Sequence, residues 1–407
     1  MGRRSRPAPA RSAVVVGAGL GGLAVAGALA RTGWRVTLLE RAGRLRAEPT
    51  ALVLWPGGVR ALRALGLGGG LAAIATEVPE GGLRRPDGRW LRQPDAPRPE
   101  PAVLVHAQDL HDALIAGLGD DVEIRTGVRV RRLLAGGTGG TGAAALPGGR
   151  PAVTDRETTW EADLVVAADG TDSALRPAVA AGSAPVSAGV TAWRAVIPWY
   201  RAPRLPADQP VGGETLGRGY RFMSASLGER GSAGASSRGG LYWRATTPGA
   251  PRPEPAATQL DLLRRWYAGW HRPIGELLAA TEPGDLVQRE LRALRPLPGR
   301  YAVPAGPGGV VLLGDAGHAL ADHLGLGACL AFEDAATLVT VARQAVPGPQ
   351  LTTAIDAYDR LRRPRLARAV RVTGRLGVRG PAAELGPVRA RRLRQAADVA
   401  AQWLPPE

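Results

Sequence analysis

The first clear pattern along the chain is an apolar, β-rich run at residues 13–16 (AVVV), followed by closely spaced glycines and an Ala/Leu-rich stretch from Leu20 to Arg31. Gly33 stops that stretch, and a second apolar run, WRVTLLE, ends at Glu40. The spacing predicts strand, glycine turn, helix and strand, one βαβ unit. Helical spacing returns at 56–66 and 108–118, and a buried-type strand is expected at 162–168, ending on Asp169-Gly170. Residues 76–93 carry a PDG turn between short β-like runs, the mark of a hairpin, and the Gly/Ala/Thr-rich segment 135–149 reads as a loose hairpin tip.

From about residue 183 to 250 the pattern changes to Trp- and Tyr-bearing strands broken by glycines, which predicts a second, antiparallel domain. Helical signals follow at 258–281, an apolar strand at 309–313 and a helix from Gly327 to Val346. The Arg- and Ala-rich remainder reads as amphipathic helices interrupted at Pro364 and near Gly380.

Composition narrows the class. At 407 residues and 45% hydrophobic content the chain is long enough for two or three domains with large cores. All 52 basic residues are Arg against 36 acidic ones, a net charge of +16. Arginines spread over solvated faces are the plain reading; a surface attracting a nicotinamide phosphate or an acidic carrier domain is the sharper one. Aromatic residues make up 4% and do not interleave with the arginines, so no nucleic-acid partner is expected. The single Cys329 excludes an internal disulfide, the five histidines show no metal spacing, and a cytoplasmic setting fits. Residues 1–11 read as a disordered leader, and Gly17, Gly19, Gly21 and Gly22 argue against a membrane helix behind it.

The glycine turn is the first chemical motif. Gly17-x-Gly19-x-x-Gly22 lets backbone approach a pyrophosphate at a helix N-terminus, and Glu40, followed by Arg41, stands where a carboxylate takes the hydroxyls of an adenosine ribose. Two further segments, ADLVVAADGTDSALR at 162–176 and VVLLGDAGHALADHLGLGACLAFEDA at 310–335, choose among dinucleotides. With WRAV near Trp193, ETLGRGYRF from Glu214, AGWHRPI from Ala268 and PTALVLWPGGVRAL from Pro49, they resemble the group A FAD-dependent monooxygenases of the salicylate and 6-hydroxynicotinate hydroxylase type over roughly residues 12–375.

That resemblance implies an α/β fold: a Rossmann-type doubly wound FAD domain (12–75, 98–182 and 296–345), an antiparallel-sheet substrate domain (76–97 and 183–295) and C-terminal helices (346–407). It implies one non-covalent FAD, held by Gly17, Gly19, Gly22, Glu40, Arg41 and Asp169. Asp315 would bond a ribityl hydroxyl, and the turn Gly325, Gly327 and Ala328 would face the flavin pyrimidine. NAD(P)H would be a transient reductant, and O₂ would give a flavin C4a-hydroperoxide that hydroxylates or epoxidises a small aromatic or polyene substrate, free or carrier-tethered, in secondary metabolism. Arg194, Arg218 and Tyr220 are expected to roof the substrate cavity, His323 and Asp322 to be the acid–base candidates, His318 to pack, and Cys329 to be a core thiol.

The sequence also departs from the family pattern. Ala107 stands where an Arg is usual, Asp322 where a Pro is usual, Leu326 where a Gln is usual, and Gly57 where an Asn is usual. An Asp at the flavin opposes an anionic reduced flavin, which brings in a redox-neutral alternative: a cyclase or isomerase with Asp322 or His323 as proton donor. A flavin-binding protein without turnover is the third reading.

Overall fold

The apolar runs assemble as two large sheets and two small ones. A computed structural model gives the architecture for residues 11–79, 81–96, 98–134, 149–205, 213–217, 219–228, 238–321, 325–374 and 382–406. In the first large sheet the strands Gly308–Leu312, Leu164–Ala167, Arg11–Val16, Trp34–Glu40 and Val122–Thr126 lie side by side and parallel, with Ala302–Ala305 antiparallel at one edge. In the central strands, Ala13 to Val16, Leu164–Ala167 and Gly308–Leu312, both faces are buried, which is why they read as unbroken apolar runs; Val122–Thr126 at the edge is exposed.

Ala13, Val15, Leu38, Leu164 and Val166 point to one face and pack beneath the helices Leu20–Arg31, Leu326–Ala342 and Pro349–Thr373. Val14, Val16, Leu39, Val165 and Ala167 point to the other. There they meet Leu133, Val153 and Trp160 of a three-stranded antiparallel sheet formed by Arg132–Leu134, Ala152–Thr154 and Thr159–Glu161. The mixed α/β class and the Rossmann arrangement are those the sequence implies. The antiparallel cover on the second face carries no motif of its own.

The second large sheet has seven strands in the order Val287–Arg295, Ala184–Pro198, Gly240–Pro248, Tyr220–Ser226, Glu214–Gly217, Leu83–Arg84 and Trp90–Arg92. Its period-two alternation sends Trp193, Ala195, Ile197, Phe222, Trp243 and Ala245 against helices Ala256–Trp266 and Ile274–Ala280. Val196, Ala225 and Tyr242 emerge on the opposite face and pack on Ala51 and Leu104 of a small sheet made of Ala51–Leu54, Ala102–His106 and Ala75–Val78. The hairpin expected over 76–93 is therefore divided. Ala75–Val78 joins the small sheet, while the PDG turn, with Gly88 at φ +83°, joins Leu83–Arg84 to Trp90–Arg92.

Two further expectations change. Pro364 does not interrupt its helix: Pro349–Thr373 runs through it. Buried Arg362, Leu366 and Ala369 fix the helix on both sides of the proline, so packing outweighs one missing N–H bond. Arg11 is strand and not leader, because its guanidinium bonds the carbonyls of Arg343 and Thr32 and lies over the Trp34 ring. Residues 1–10, the hairpin tip at 135–148 and the break near Gly380 lie outside the described residues.

Candidate active site

Gly17 leaves the first strand at φ +104°, where a Cβ would sit 2.3 Å from the Ala168 carbonyl oxygen. A Cβ on Gly22 would sit 1.9 Å from the Gly17 oxygen. Both positions therefore exclude side chains, one for the turn and one for helix-to-strand packing. Gly19, the N-cap of Leu20–Arg31, differs: nothing stands within 4 Å of its Cβ position, and no side chain caps the helix. The helix thus presents its first N–H groups to open space.

Glu40 closes the other side, with Oε2 accepting from Ala18 N–H and Oε1 from Ala42 N–H, each at 2.8 Å. Together with Gly17, Gly19, Glu40, Arg41 and Asp169, these strand ends line a cleft of about 640 Å³. Asp169 Oδ2 accepts from Ala174 N–H at 2.8 Å, while its Oδ1 is buried with no hydrogen-bond partner. Burial pushes this carboxyl above the usual aspartate range, against the bonds that Ser173 and the backbone supply. Arg176 backs it, bonded to the carbonyls of Ser183 and Ala316.

Asp315 follows Gly314, whose φ is +62°, and is exposed. Thr171 Oγ1 donates to it at 3.4 Å, and a Cβ on Gly327 would lie 3.7 Å from its Oδ1. Asp315 and the start of helix Leu326–Ala342, capped by left-handed Gly325, therefore share one place. Ala328 is half-buried in that first turn. An uncapped helix N-terminus, open space before Gly19, an orphaned carboxyl oxygen and a second glycine-opened helix fit a flavin dinucleotide stretched across the strand ends.

A buried network holds the Gly314 turn; the segment 310–335 contains His318, Glu333 and Asp334 but did not show that they pair or that Arg362 joins them. Asp334 Oδ2 accepts from Gly314 N–H at 2.9 Å and pairs with His318 Nε2 at 2.6 Å, while Oδ1 accepts from Arg362 Nε at 2.6 Å. Burial alone would raise the Asp334 pKa, but His318 and Arg362 overcome it and hold the carboxylate low. Glu333, its neighbour, takes Arg362 and Arg365. His318 thus packs, as expected. Cys329 is likewise a fully buried core thiol, its Sγ accepting from Trp55 N–H at 3.3 Å.

A second cavity, of about 160 Å³, lies between the small sheet and the seven-stranded one. Val53, Trp55, Val78 and Met223 give it an apolar lining, with Arg221 and Ser224 on the sheet side. Arg221 is ion-paired with Glu214. Alternation corrects one expectation: Tyr220 is on the opposite face, edge-on to Tyr267 with ring centroids 5.9 Å apart and against Trp266 at 6.1 Å. A one-residue offset in a strand reverses the face, so Arg221 and Met223 stand where Tyr220 was expected.

Arg194 neighbours Trp193 in the strand and faces away from the helices, opposite Arg244. Its Nε is buried without a hydrogen-bond partner, and it does not line this cavity. At the missing Arg, Ala107 is buried. Gln108 Oε1 accepts from Ala47 N–H at 3.0 Å, and His106 Nδ1 accepts from Gln108 N–H at 3.2 Å. Asp322, His323 and Arg218 lie outside the described residues.

The glycine turn, the acid at the second strand end and the Gly314–Asp315 turn define a flavin-dinucleotide protein. Residues 11–231 match the FAD binding domain family, and the chain belongs to it, among the group A FAD-dependent monooxygenases of aromatic hydroxylase type; FAD is its cofactor. It is 33% identical to the 3-amino-4-hydroxybenzoate 2-monooxygenase of Streptomyces cremeus, over 89% of this chain and 86% of that one. To the aurachin C monooxygenase/isomerase of Stigmatella aurantiaca it is 29% identical, over 86% and 84%. The crystal structure of Klebsiella pneumoniae HpxO complexed with FAD and uric acid shares the fold at a TM-score of 0.73 and 24% identity, covering 96% of each chain. Among the described residues no helix is long and apolar enough to cross a membrane.

Proposed function

We propose that this chain inserts an oxygen atom into a small, single-ring aromatic substrate, drawing electrons from NAD(P)H and oxygen from O₂. The carrying observation is the pocket of about 160 Å³ walled by Val53, Trp55, Val78 and Met223, close in size to cavities of roughly 150 Å³ that take a benzene ring. Gly17 and Gly22 set the turn and Gly19 leaves room for the diphosphate, Glu40 and Arg41 flank the adenosine, and Asp169 stands at the cleft wall. Asp315 takes the ribityl chain, and Gly325, Gly327 and Ala328 present N–H groups to the flavin edge. Bound FAD supplies the redox and oxygen-activating chemistry; the protein binds, orients and excludes water. Asp322 and His323 are the candidates to hold or move a proton.

The relatives support this reading through their names, which join a benzoate monooxygenase with a monooxygenase/isomerase. The test is a screen of hydroxylated aromatics for NAD(P)H oxidation matched by O₂ uptake, with ¹⁸O from O₂ followed into product. Label in the product is expected. Conversion of a substrate without NAD(P)H and without label would replace oxygenation by the redox-neutral reading.

A further inference from the structure

Four arginines line the apolar pocket, and their partners differ. Arg92 pairs with Asp95 at 2.6 Å, Arg98 with Asp398 at 3.2 Å, and Arg221 with Glu214. Arg394 makes no ion pair among the described residues and is exposed. Each of the first three cations is already matched by a carboxylate of the fold, so any charge left to offer a ligand is concentrated on Arg394.

Its position is well defined. Arg394 and Ala397, which also lines the pocket, belong to helix Ala382–Ala401, and that helix is held from its C-terminal end. Arg365 Nη1 donates to the Val399 carbonyl at 2.5 Å, Arg60 Nε donates to that of Trp403 at 3.0 Å, and Arg60 Nη2 donates to that of Ala401. Cations on the last carbonyls match the negative end of the helix dipole. Gly57 explains how the helix comes so close: a Cβ there would lie 2.4 Å from the Ala400 oxygen and 3.3 Å from Trp403 Cβ. The departure at position 57 makes room for this helix as a pocket wall.

We propose that Arg394 recognises the substrate's anion: the aromatic ring fills the apolar interior against Trp55 and Met223, and a carboxylate on that ring meets the Arg394 guanidinium. The inference rests on the oxygenase reading of the same pocket. A guanidinium matches a carboxylate in geometry as well as charge, and its planar fork accepts two parallel bonds. No rearrangement of the paired arginines is then needed, since each keeps its own carboxylate.

The test titrates FAD-loaded full-length protein with 4-hydroxybenzoate and with 4-hydroxybenzamide, its uncharged isostere, reading the perturbation of flavin absorbance. The acid is expected to bind at least tenfold tighter than the amide, with the preference shrinking as salt is added. Arg394→Gln is expected to bring the two affinities together without changing amide binding, FAD content or thermal stability, and Arg394→Lys to keep part of the preference. An unchanged acid-to-amide ratio in Arg394→Gln overturns the proposal while leaving the oxygenase reading intact. If neither probe perturbs the flavin at millimolar concentration, although NAD(P)H-dependent oxygenation of another substrate proceeds, the pocket assignment itself fails and Arg394 with it.

Discussion

The FAD cleft and the apolar pocket are built from different material. At the strand ends a glycine turn, Gly17 and Gly19, meets charged side chains: Glu40, Asp169 and Asp172, with Arg41, Arg44, Arg46, Arg129, Arg131 and Arg156 around them. In the pocket the wall is more apolar, with Val53, Val78 and Met223 contributed by two sheets, Trp55 by the start of a helix and Arg394 by a helix far along the chain. The backbone turn of the cleft is intolerant of added atoms at Gly17 and Gly22, whatever the identities around it. A side-chain-lined site is changed by almost any substitution while the fold persists. One fold can therefore keep its cofactor and exchange its substrate.

The largest effect that would break this contrast lies at Gly22. Gly22→Val adds atoms where even a Cβ would stand 1.9 Å from the Gly17 oxygen, and the purified protein is expected to retain no FAD. Yellow protein with full FAD content after that change would mean that the turn is not sterically set. On the pocket side, Glu214→Ala removes the carboxylate paired with buried Arg221, and stability is expected to fall by about 3–5 kcal/mol. Denaturant unfolding measures the loss, and FAD affinity of the folded fraction should not move. A loss in FAD affinity equal to that in stability would show the two sites to be one cooperative unit.

Asp315 is the side chain that most tests the backbone account. A charge-assisted bond is worth about 1.5–3 kcal/mol, so Asp315→Ala should weaken FAD by one to two decades with an unchanged circular dichroism spectrum. An unaltered affinity in fluorescence titration would show that Asp315 does not hold the cofactor.

The same division governs what could be read from the chain. Gly17, Gly22 and Glu40 were legible because a turn of fixed geometry needs those residues at those spacings. The strands at 13–16, 34–40, 162–168 and 309–313 were legible as apolar runs, while their order in the sheet was not. Tyr220 was misplaced by one step of the strand, since alternation gives two faces and not which one meets the pocket. The Asp334–His318–Arg362 network and the Arg365–Val399 contact join residues far apart in sequence, where no local period records the partner. Pro364 shows the same limit from the other side: its local cost is plain in the sequence, while the packing that outweighs it is not.

The smallest expected effect, and the sharpest, concerns Asp169. Its carboxyl is held above the unfolded reference of 3.8 by burial, so folded protein without FAD binds protons that the unfolded chain has released. The stability this group contributes is full below that reference and is lost as pH rises through the raised folded pKa. Asp169→Asn removes the ionisation and can keep the acceptor for Ala174 N–H, so the variant should unfold a few degrees higher than wild type at neutral pH and match it in acid. The diphosphate proposed for this cleft would add negative charge, which favours the protonated carboxyl further. FAD binding to wild type should therefore weaken as pH rises, while binding to Asp169→Asn changes less. Parallel pH profiles of FAD affinity would show that Asp169 does not sense the diphosphate.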